Sequence, residues 1–204
     1  GDTARPTASR VRLAMMNRLA LDLVGSRWLD LCSGSGIMAC EALQRGAETV
    51  VAIERDRRIA AVCRSNLQAV QQGLPPQRRH RSRMAVHCMP AERWLATATE
   101  APFDLIYADP PYDAGLYGTL AAGVRSSGLL RADGILLLEC GSGRVPSIPT
   151  GWEALEERRY GSTTVLLLQL EQAPEPEPDE DGAAYGSNGT PPEAPATHSQ
   201  PAGT

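Results

Sequence analysis

The chain has 204 residues, of which 42% are hydrophobic, and this is enough to bury the core of one domain of ordinary size. No apolar run approaches the roughly 18 residues of a membrane helix, and the first ten residues lack the charged-then-apolar pattern of a signal peptide. We therefore expect a cytoplasmic protein with no membrane partner.

The formal net charge of −4 combines two unlike segments. Seven of the 24 acidic residues follow residue 170, where no Arg or Lys occurs, so the preceding segment carries 17 acidic and 20 basic residues. All the basic residues are arginine, which suits contacts with phosphates and base planes, although a GC-rich genome gives the same bias. The body of the chain can therefore tolerate a polyanionic partner.

The cysteines give no sign of a disulfide framework. They are odd in number and widely spaced, they form no CxxC pair, and most of them lie in apolar segments: Cys32, Cys40, Cys63, Cys88 and Cys140. Such cysteines are typical of buried reduced thiols, so we expect no metal site.

Strand and helix patterns alternate along the chain. Five short apolar runs, each bounded by turn residues, predict buried strands at 27–32, 49–54, 84–89, 103–108 and 134–140. Helical spacing follows the first strand and ends at Gly46, and it follows the second strand and ends at Gly73. This order predicts an α/β, doubly wound Rossmann-like sheet that is mostly parallel.

The last part of the chain changes character twice. The runs "WEALEERRY" and "TTVLLLQL" flank Gly161 and Ser162, which predicts an antiparallel hairpin at the end of the sheet. Residues 171–204 are rich in Pro, Glu, Gly, Ser and Thr, so this segment cannot offset its own ordering entropy. We expect one domain at 1–170 and a disordered acidic tail at 171–204.

A glycine loop, "LDLCSGSG" (29–36), links the first strand to the first of these helices. Its glycines permit a tight turn and close approach to a ligand, and an acid lies at the end of the second strand, where a ribose diol would bind. A glycine loop alone is a weak signal, because many strand-to-helix turns are glycine-rich for steric reasons. The candidate cofactor-binding residues are Cys32, Gly34, Ser35, Gly36, Glu54 and its neighbour Arg55.

The charge of the ligand follows from Asp30. A dinucleotide fingerprint tolerates Ala39 in its last position, so the glycine loop does not exclude NAD. A carboxylate at Asp30 repels a pyrophosphate but suits the ammonium group of S-adenosylmethionine. The alternative is that Asp30 only caps the loop or helix.

The fourth predicted strand delivers "DPPY" to the same edge of the sheet. The Asp109 carboxylate and the Pro110 carbonyl can accept both protons of an exocyclic base amine, which localises its lone pair for attack on a methyl group. Pro111 stops the chain from continuing as a helix, and Tyr112 can stack on the base. The alternative is an ordinary strand followed by a Pro-Pro turn with the ring in the core.

These motifs resemble a known family. The stretches "DLCSGSG", "VVAIERD" and "FDLIYADPPY" are similar to class I S-adenosylmethionine-dependent amino-methyltransferases. The opening "RPTASRVRLAMMNRL" and the run "EALQRGAETVVAIERD" resemble the RsmD-like bacterial enzymes that methylate guanine N2 in 16S ribosomal RNA. The resemblance covers residues 5–170, and it implies S-adenosylmethionine as cofactor and 16S RNA or small-subunit intermediates as partner.

The resemblance also implies residue roles. Asp30, the glycine loop and Glu54 match the cofactor site, 109–112 match the catalytic motif, and Arg5 and Thr7 match an N-terminal motif near the substrate. The family usually has an acid for the adenine amine where Pro90 stands here. Adenine recognition then falls to backbone groups around Met89 and Ala91, which we leave open.

A basic cluster precedes the third strand. In "QRRHRSR" (77–83), Arg78, Arg79 and Arg81 predict a loop that clamps RNA phosphates, although a solvated basic surface is an equal alternative. We expect a monomer. Two other functions stay open: a DNA adenine-N6 methyltransferase, for which the chain leaves little room for a sequence-reading domain, and a non-catalytic RNA-binding assembly factor.

Overall fold

The structure is a computed structural model that describes residues 6–111 and 115–172, with side chains of the first helix described from Ser9 onward. The described residues all belong to the first of the chain's two units, Gly1–Gln172. Nearly all of the predicted disordered tail lies outside the described residues, so its disorder stays a prediction. Among the described helices, none has both the length and the apolar character needed to cross a membrane.

A seven-stranded sheet forms the centre of the first unit, with the strand order β3-β2-β1-β4-β5-β7-β6. Strands β1 to β5 are parallel, whereas β7 is antiparallel to both β5 and β6. The strands are β1 (Arg27–Asp30), β2 (Thr49–Ile53), β3 (Arg83–His87), β4 (Phe103–Ala108), β5 (Leu130–Gly141), β6 (Trp152–Tyr160) and β7 (Thr163–Leu170). This is the mostly parallel sheet with an antiparallel hairpin that the sequence predicts.

Six helices cover the two faces of the sheet in the described part of the chain. They are α1 (Pro6–Arg18), α2 (Ile37–Arg45), α3 (Arg57–Gly73), α4 (Pro76–Arg81), α5 (Ala91–Leu95) and α6 (Leu116–Ser127). Buried residues of α1, α2 and α3 share one hydrophobic cluster, and those of α5 and α6 share the other. The sheet is therefore covered on both sides, as its near-continuous apolar strands require.

Several element bounds differ from the sequence predictions. The predicted loop "QRRHRSR" is wrong, because Pro76 begins a short helix, α4, that runs through Arg81. Strand β5 begins at Leu130, four residues before the predicted start. In the hairpin, β7 pairs with both β5 and β6, so β6 and not β7 is the edge strand on this side of the sheet.

In α2 and α3, only some of the apolar residues face the core. In α2, Met38 and Ala39 are buried beside Ala42 and Leu43, whereas Ile37 is exposed. In α3, Ala60, Cys63 and Leu67 face the core, and both Ile59 and Val62 are exposed. Each helix therefore packs on the sheet with one part of its apolar residues and leaves the others at the surface.

All five cysteines are free. Cys63 and Cys140 are buried and Cys32 and Cys40 are half-buried, as expected of reduced thiols in a core. The expectation is wrong for Cys88, which is exposed just after β3. Its thiol lies 3.8 Å from the Arg55 carbonyl oxygen.

Candidate active site

A cavity of about 730 Å³ lies where the parallel strands end. This volume is in the range of pockets that hold cofactors and other small molecules. Its wall combines the glycine loop after β1, the acid after β2, the loop after β3 and the residues that follow β4. The lining residues include Cys32, Gly34, Glu54, Arg55, Met89, Ala91, Asp109, Pro110 and Pro111.

The glycine loop is fixed by hydrogen bonds on both sides. The Ser33 amide donates to the Ile53 carbonyl at 2.9 Å, and the Gly36 amide donates to the Ser33 carbonyl at 2.8 Å. Asn66 of α3 donates from its side chain to the Ser35 carbonyl at 2.9 Å. The loop is therefore held between β2 and α3 before any ligand arrives.

Glycine is needed at the two positions of the loop for different physical reasons. Gly34 has a φ of +54° and no atom within 4 Å of a Cβ added there, and it lies on the cavity wall, so a side chain would occupy ligand space. Gly36 has a φ of +83°, and an added Cβ would come 2.7 Å from the Cys63 sulfur. Gly36 is thus required for packing, and it does not line the cavity.

Glu54 is oriented by backbone amides. Its Oε2 accepts from the Gly34 amide at 2.9 Å, and its Oε1 accepts from the Asp56 amide at 2.8 Å. Each carboxylate oxygen keeps a second acceptor position, so the group can still bind two hydroxyls. The carboxylate is therefore presented to the cavity in a fixed orientation.

Asp109 follows β4 and faces the open cavity next to Pro110 and Pro111. Burial by the surrounding protein, and then the nearby Glu139 carboxylate, raise the pKa of Asp109 to about 7. The Asp109 residue itself is exposed to solvent, so this desolvation is incomplete. A carboxyl group with such a pKa can exchange a proton near neutral pH.

Asp30 lies beneath the cavity wall and not on it. It is 1% exposed, and neither carboxylate oxygen has a hydrogen-bond partner of normal geometry among the described residues. Burial and then Asp109 raise its pKa to about 7, although Ser33 and nearby backbone amides oppose the rise.

Comparisons with known proteins identify the family. A family model described as "Conserved hypothetical protein 95" matches residues 1–169. Ribosomal RNA small subunit methyltransferase D from Escherichia coli K12 is 28% identical over 176 residues, which are 86% of this chain and 84% of that protein. YlbH from Bacillus subtilis is 31% identical over 141 residues, covering 68% and 72% of the two chains.

The chain belongs to the RsmD-like methyltransferase family. A solved structure, yhhF from Escherichia coli, superposes with a TM-score of 0.70 at 26% identity, covering 85% of this chain and 90% of that one. The sequence-based resemblance and the predicted fold class are both confirmed.

Within this RsmD-like fold, the predicted cofactor-binding residues divide into two groups. Cys32, Gly34, Glu54, Arg55, Met89 and Ala91 line the cavity. Asp30 and Gly36 are buried and Ser35 is exposed, and none of these three lines it. Arg5 and Tyr112 lie outside the described residues, as does the side chain of Thr7. The roles assigned to all of these residues stay predictions.

Several cavity residues of the RsmD-like chain escaped the sequence analysis. Glu92, in the first turn of α5, brings a carboxylate to the wall two residues after Pro90. Glu139 ends an otherwise apolar run of β5, and a lone acid there is a signal that could have been followed. Ser162 and Thr163 reach the cavity from the β6–β7 turn, which only the strand order reveals.

The basic cluster lies at the other edge of the sheet. Helix α4 precedes β3, and β3 is parallel to β2, so its arginines lie near the amino end of the strand, about 16 Å along it from the cavity edge. Arg78 donates to the carbonyls of Leu43 and Gln44 at the end of α2, at 2.5 and 2.9 Å. Arg78 is thus engaged in the fold, while Arg79 and Arg81 are exposed.

Proposed function

We propose that this protein transfers a methyl group from S-adenosylmethionine to the exocyclic N2 amine of a guanine in 16S ribosomal RNA. The observation that carries the proposal is the convergence of Gly34, Glu54 and Asp109 on one cavity. Membership of a methyltransferase family and similarity to ribosomal RNA methyltransferases support the class of reaction. The target base is our inference from the DPP motif.

The cavity suits S-adenosylmethionine in its chemistry as well as its volume. Because Gly34 has no side chain, it leaves space for a ligand that a larger residue at this position would occupy. Glu54 offers free acceptor positions for ribose hydroxyls, and the Glu92 carboxylate lies on the wall near the residues proposed to contact adenine. The cofactor supplies a methyl group on a positively charged sulfur, and the electron pair of the broken carbon–sulfur bond stays on that sulfur.

Asp109 and Pro110 are the proposed acceptors for the substrate amine. The Asp109 carboxylate takes one N–H bond and the Pro110 carbonyl oxygen takes the other, which localises the nitrogen lone pair. When the amine gains the methyl group it must lose one proton, and Asp109 is placed to receive it. Tyr112 is proposed to stack on the base, as the sequence predicts.

The direct test is transfer of radioactive methyl from S-adenosylmethionine to small-subunit RNA and to small-subunit particles, followed by nucleoside mass spectrometry. We expect N2-methylguanosine in the products. The Asp109→Ala variant should lose at least about 100-fold in rate while it keeps cofactor affinity, since general acid–base groups contribute about 10²–10⁴-fold. Asp133→Asn, an exposed acid at the start of β5, is the matched control.

Three outcomes would contradict the proposal. Transfer that survives Asp109→Ala would remove the assigned role of the carboxylate. N6-methyladenine in DNA, with no product in RNA, would favour a DNA adenine methyltransferase. Tight RNA binding with no transfer to either RNA or particles would favour a non-catalytic assembly factor.

A further inference from the structure

A second carboxylate stands beside Asp109. In the paired strands β4 and β5, Ala108 is in register with Leu138, so Asp109, the first residue after β4, lies beside Glu139 of β5. Adjacent strands are about 4.8 Å apart. Both side chains also line the same cavity.

The orientation of Glu139 is set by Tyr107. Tyr107 is in register with Leu137, two residues before Glu139, so the two side chains lie on the same face of the sheet. The Tyr107 hydroxyl donates a hydrogen bond to Glu139 Oε2. The Tyr107 ring is buried and stacks on Trp28, with centroids 6.0 Å apart, so the donor is rigid.

We propose that Glu139 is a positioning residue of the methyl transfer, which is held in place by Tyr107 and makes Asp109 a stronger proton acceptor. This inference rests on the proposed function, and it assigns a role to two residues outside the DPPY motif. Burial raises the pKa of Glu139, and the hydrogen bond from the neutral Tyr107 phenol opposes this rise by favouring the charged carboxylate. The negative charge of Glu139 then favours the protonated form of its neighbour Asp109.

The other ionisable groups around Asp109 do not reproduce this arrangement. Asp30 of β1 is on the same face of the sheet, since it is in register with Tyr107, but it is buried without a hydrogen bond of normal geometry among the described residues. The remaining groups on the cavity wall come from the loops after β1 and β2, from α5 and from β5, and they are Cys32, Glu54, Arg55, Asp56, Glu92 and Cys140. Glu139 is the carboxylate whose charge raises the pKa of Asp109.

The reaction releases a proton, and the Asp109–Glu139 pair is suited to receive it. As the substrate nitrogen gains a methyl group it gives up one proton, which Asp109 Oδ receives. A carboxylate of ordinary pKa is a weak acceptor near neutral pH, because it binds a proton poorly. The negative charge of Glu139 makes Asp109 bind a proton more strongly. Glu139 itself needs no contact with the substrate.

Titration by NMR of ¹³C-labelled carboxyl groups tests the proposal, with the Asp109 signal assigned by its loss in Asp109→Asn. We expect Glu139→Gln to lower the pKa of Asp109 by roughly one unit, because a like charge has been removed. Tyr107→Phe should raise the pKa of Glu139 and lower that of Asp109 by a smaller amount. The double variant should match Glu139→Gln, because Tyr107 acts through Glu139.

Kinetics with the same variants then measure the consequence. In Glu139→Gln, the acidic limb of the kcat/KM profile should move to lower pH with the Asp109 titration, and kcat should fall about 3–30-fold. KM should change little. Asp133→Asn, on the same strand but far from the cavity, should change neither the titration nor the profile.

The outcomes separate this inference from the proposed function. An Asp109 titration that is identical in the wild type and Glu139→Gln would overturn the role of Glu139, whatever the activity. A normal kcat and pH profile in Glu139→Gln would overturn it as well. A wild type without methyl transfer would contradict the proposed function, while the titration would still decide whether Glu139 acts on Asp109.

Discussion

Asp30 shows how the site is built at the expense of stability. It is a fully buried carboxyl group whose pKa rises to about 7, chiefly because of burial. The folded protein therefore holds a proton that the unfolded chain releases near pH 4. By linkage, this residue contributes stability at low pH that is lost as the pH rises from about 4 through 7.

Asp30→Asn should remove that pH dependence. Compared with the wild type, we expect the variant to gain stability at pH 8 that is greater than its gain at pH 5, by on the order of 2 kcal/mol. Denaturant unfolding at the two pH values measures the difference. A gain that is equal at both pH values would show that Asp30 titrates normally in the folded protein.

Glu54 shows the opposite case, an acid satisfied by backbone amides and presented to the ligand. Glu54→Gln keeps the shape but places an amide among N–H donors, so we expect affinity for S-adenosylhomocysteine to fall about 10–100-fold by calorimetry. Glu48→Gln, an exposed site just before β2, should leave it unchanged. Equal affinities for the two variants would rule out Glu54 as a ribose ligand.

At the scale of elements, the strands were predicted well because burial on both faces leaves a plain signal. β4 matches its predicted range at both ends, and the hairpin forms around Gly161 and Ser162 as predicted. Four of the described helices escaped prediction, among them α1 and α6. The other two are short, and five or six residues carry too little periodicity. This is the case for α4 and α5.

The position of the basic cluster could have been deduced from topology. Residues that precede a parallel strand lie at its amino end, whereas the cofactor loops follow the carboxyl ends. Charge alone gave the cluster a role at the substrate site, but Arg83 begins β3 at the far edge. RNA would have to extend from the cavity, at the carboxyl ends of the strands, to the amino end of β3 in order to contact both sites.

Arg78 and Arg81 should therefore differ in what they do. Arg78→Ala removes donors to two carbonyl groups at the end of α2, so we expect a loss of about 1 kcal/mol in the free energy of unfolding. Arg81→Ala should leave stability unchanged, because the side chain is exposed and has no hydrogen bond among the described residues. Thermal unfolding and RNA binding at two salt concentrations separate the two effects.

If the basic cluster binds RNA phosphates, RNA binding should respond to Arg81→Ala in one way, and if it is only a solvated surface, in another. If Arg81 contacts a phosphate, Arg81→Ala should weaken RNA binding at low salt and reduce the salt dependence by roughly one counterion. Unchanged RNA binding in Arg81→Ala would show that Arg81 of α4 belongs to a solvated surface with no role in RNA binding. A stability loss in Arg81→Ala equal to that in Arg78→Ala would contradict the structural distinction between them.

At the scale of the whole molecule, charge is divided between an arginine-rich domain and an acidic tail. Deletion of residues 173–204 should leave the melting temperature of the domain unchanged, since the tail's composition cannot support a core. RNA affinity should rise at low salt if the tail screens the basic surface, and the rise should vanish at high salt. Unchanged affinity at low salt would end the screening hypothesis.

The proposed reaction requires a methyl donor and a base amine to meet at the end of β4. The most direct measurement is nucleoside mass spectrometry of small-subunit ribosomal RNA from cells that lack this gene, complemented with the wild type or with Asp109→Ala. We expect one N2-methylguanosine to be absent in the deletion strain, restored by the wild type and not by the variant. RNA with the same modified nucleosides in all three strains would contradict the account.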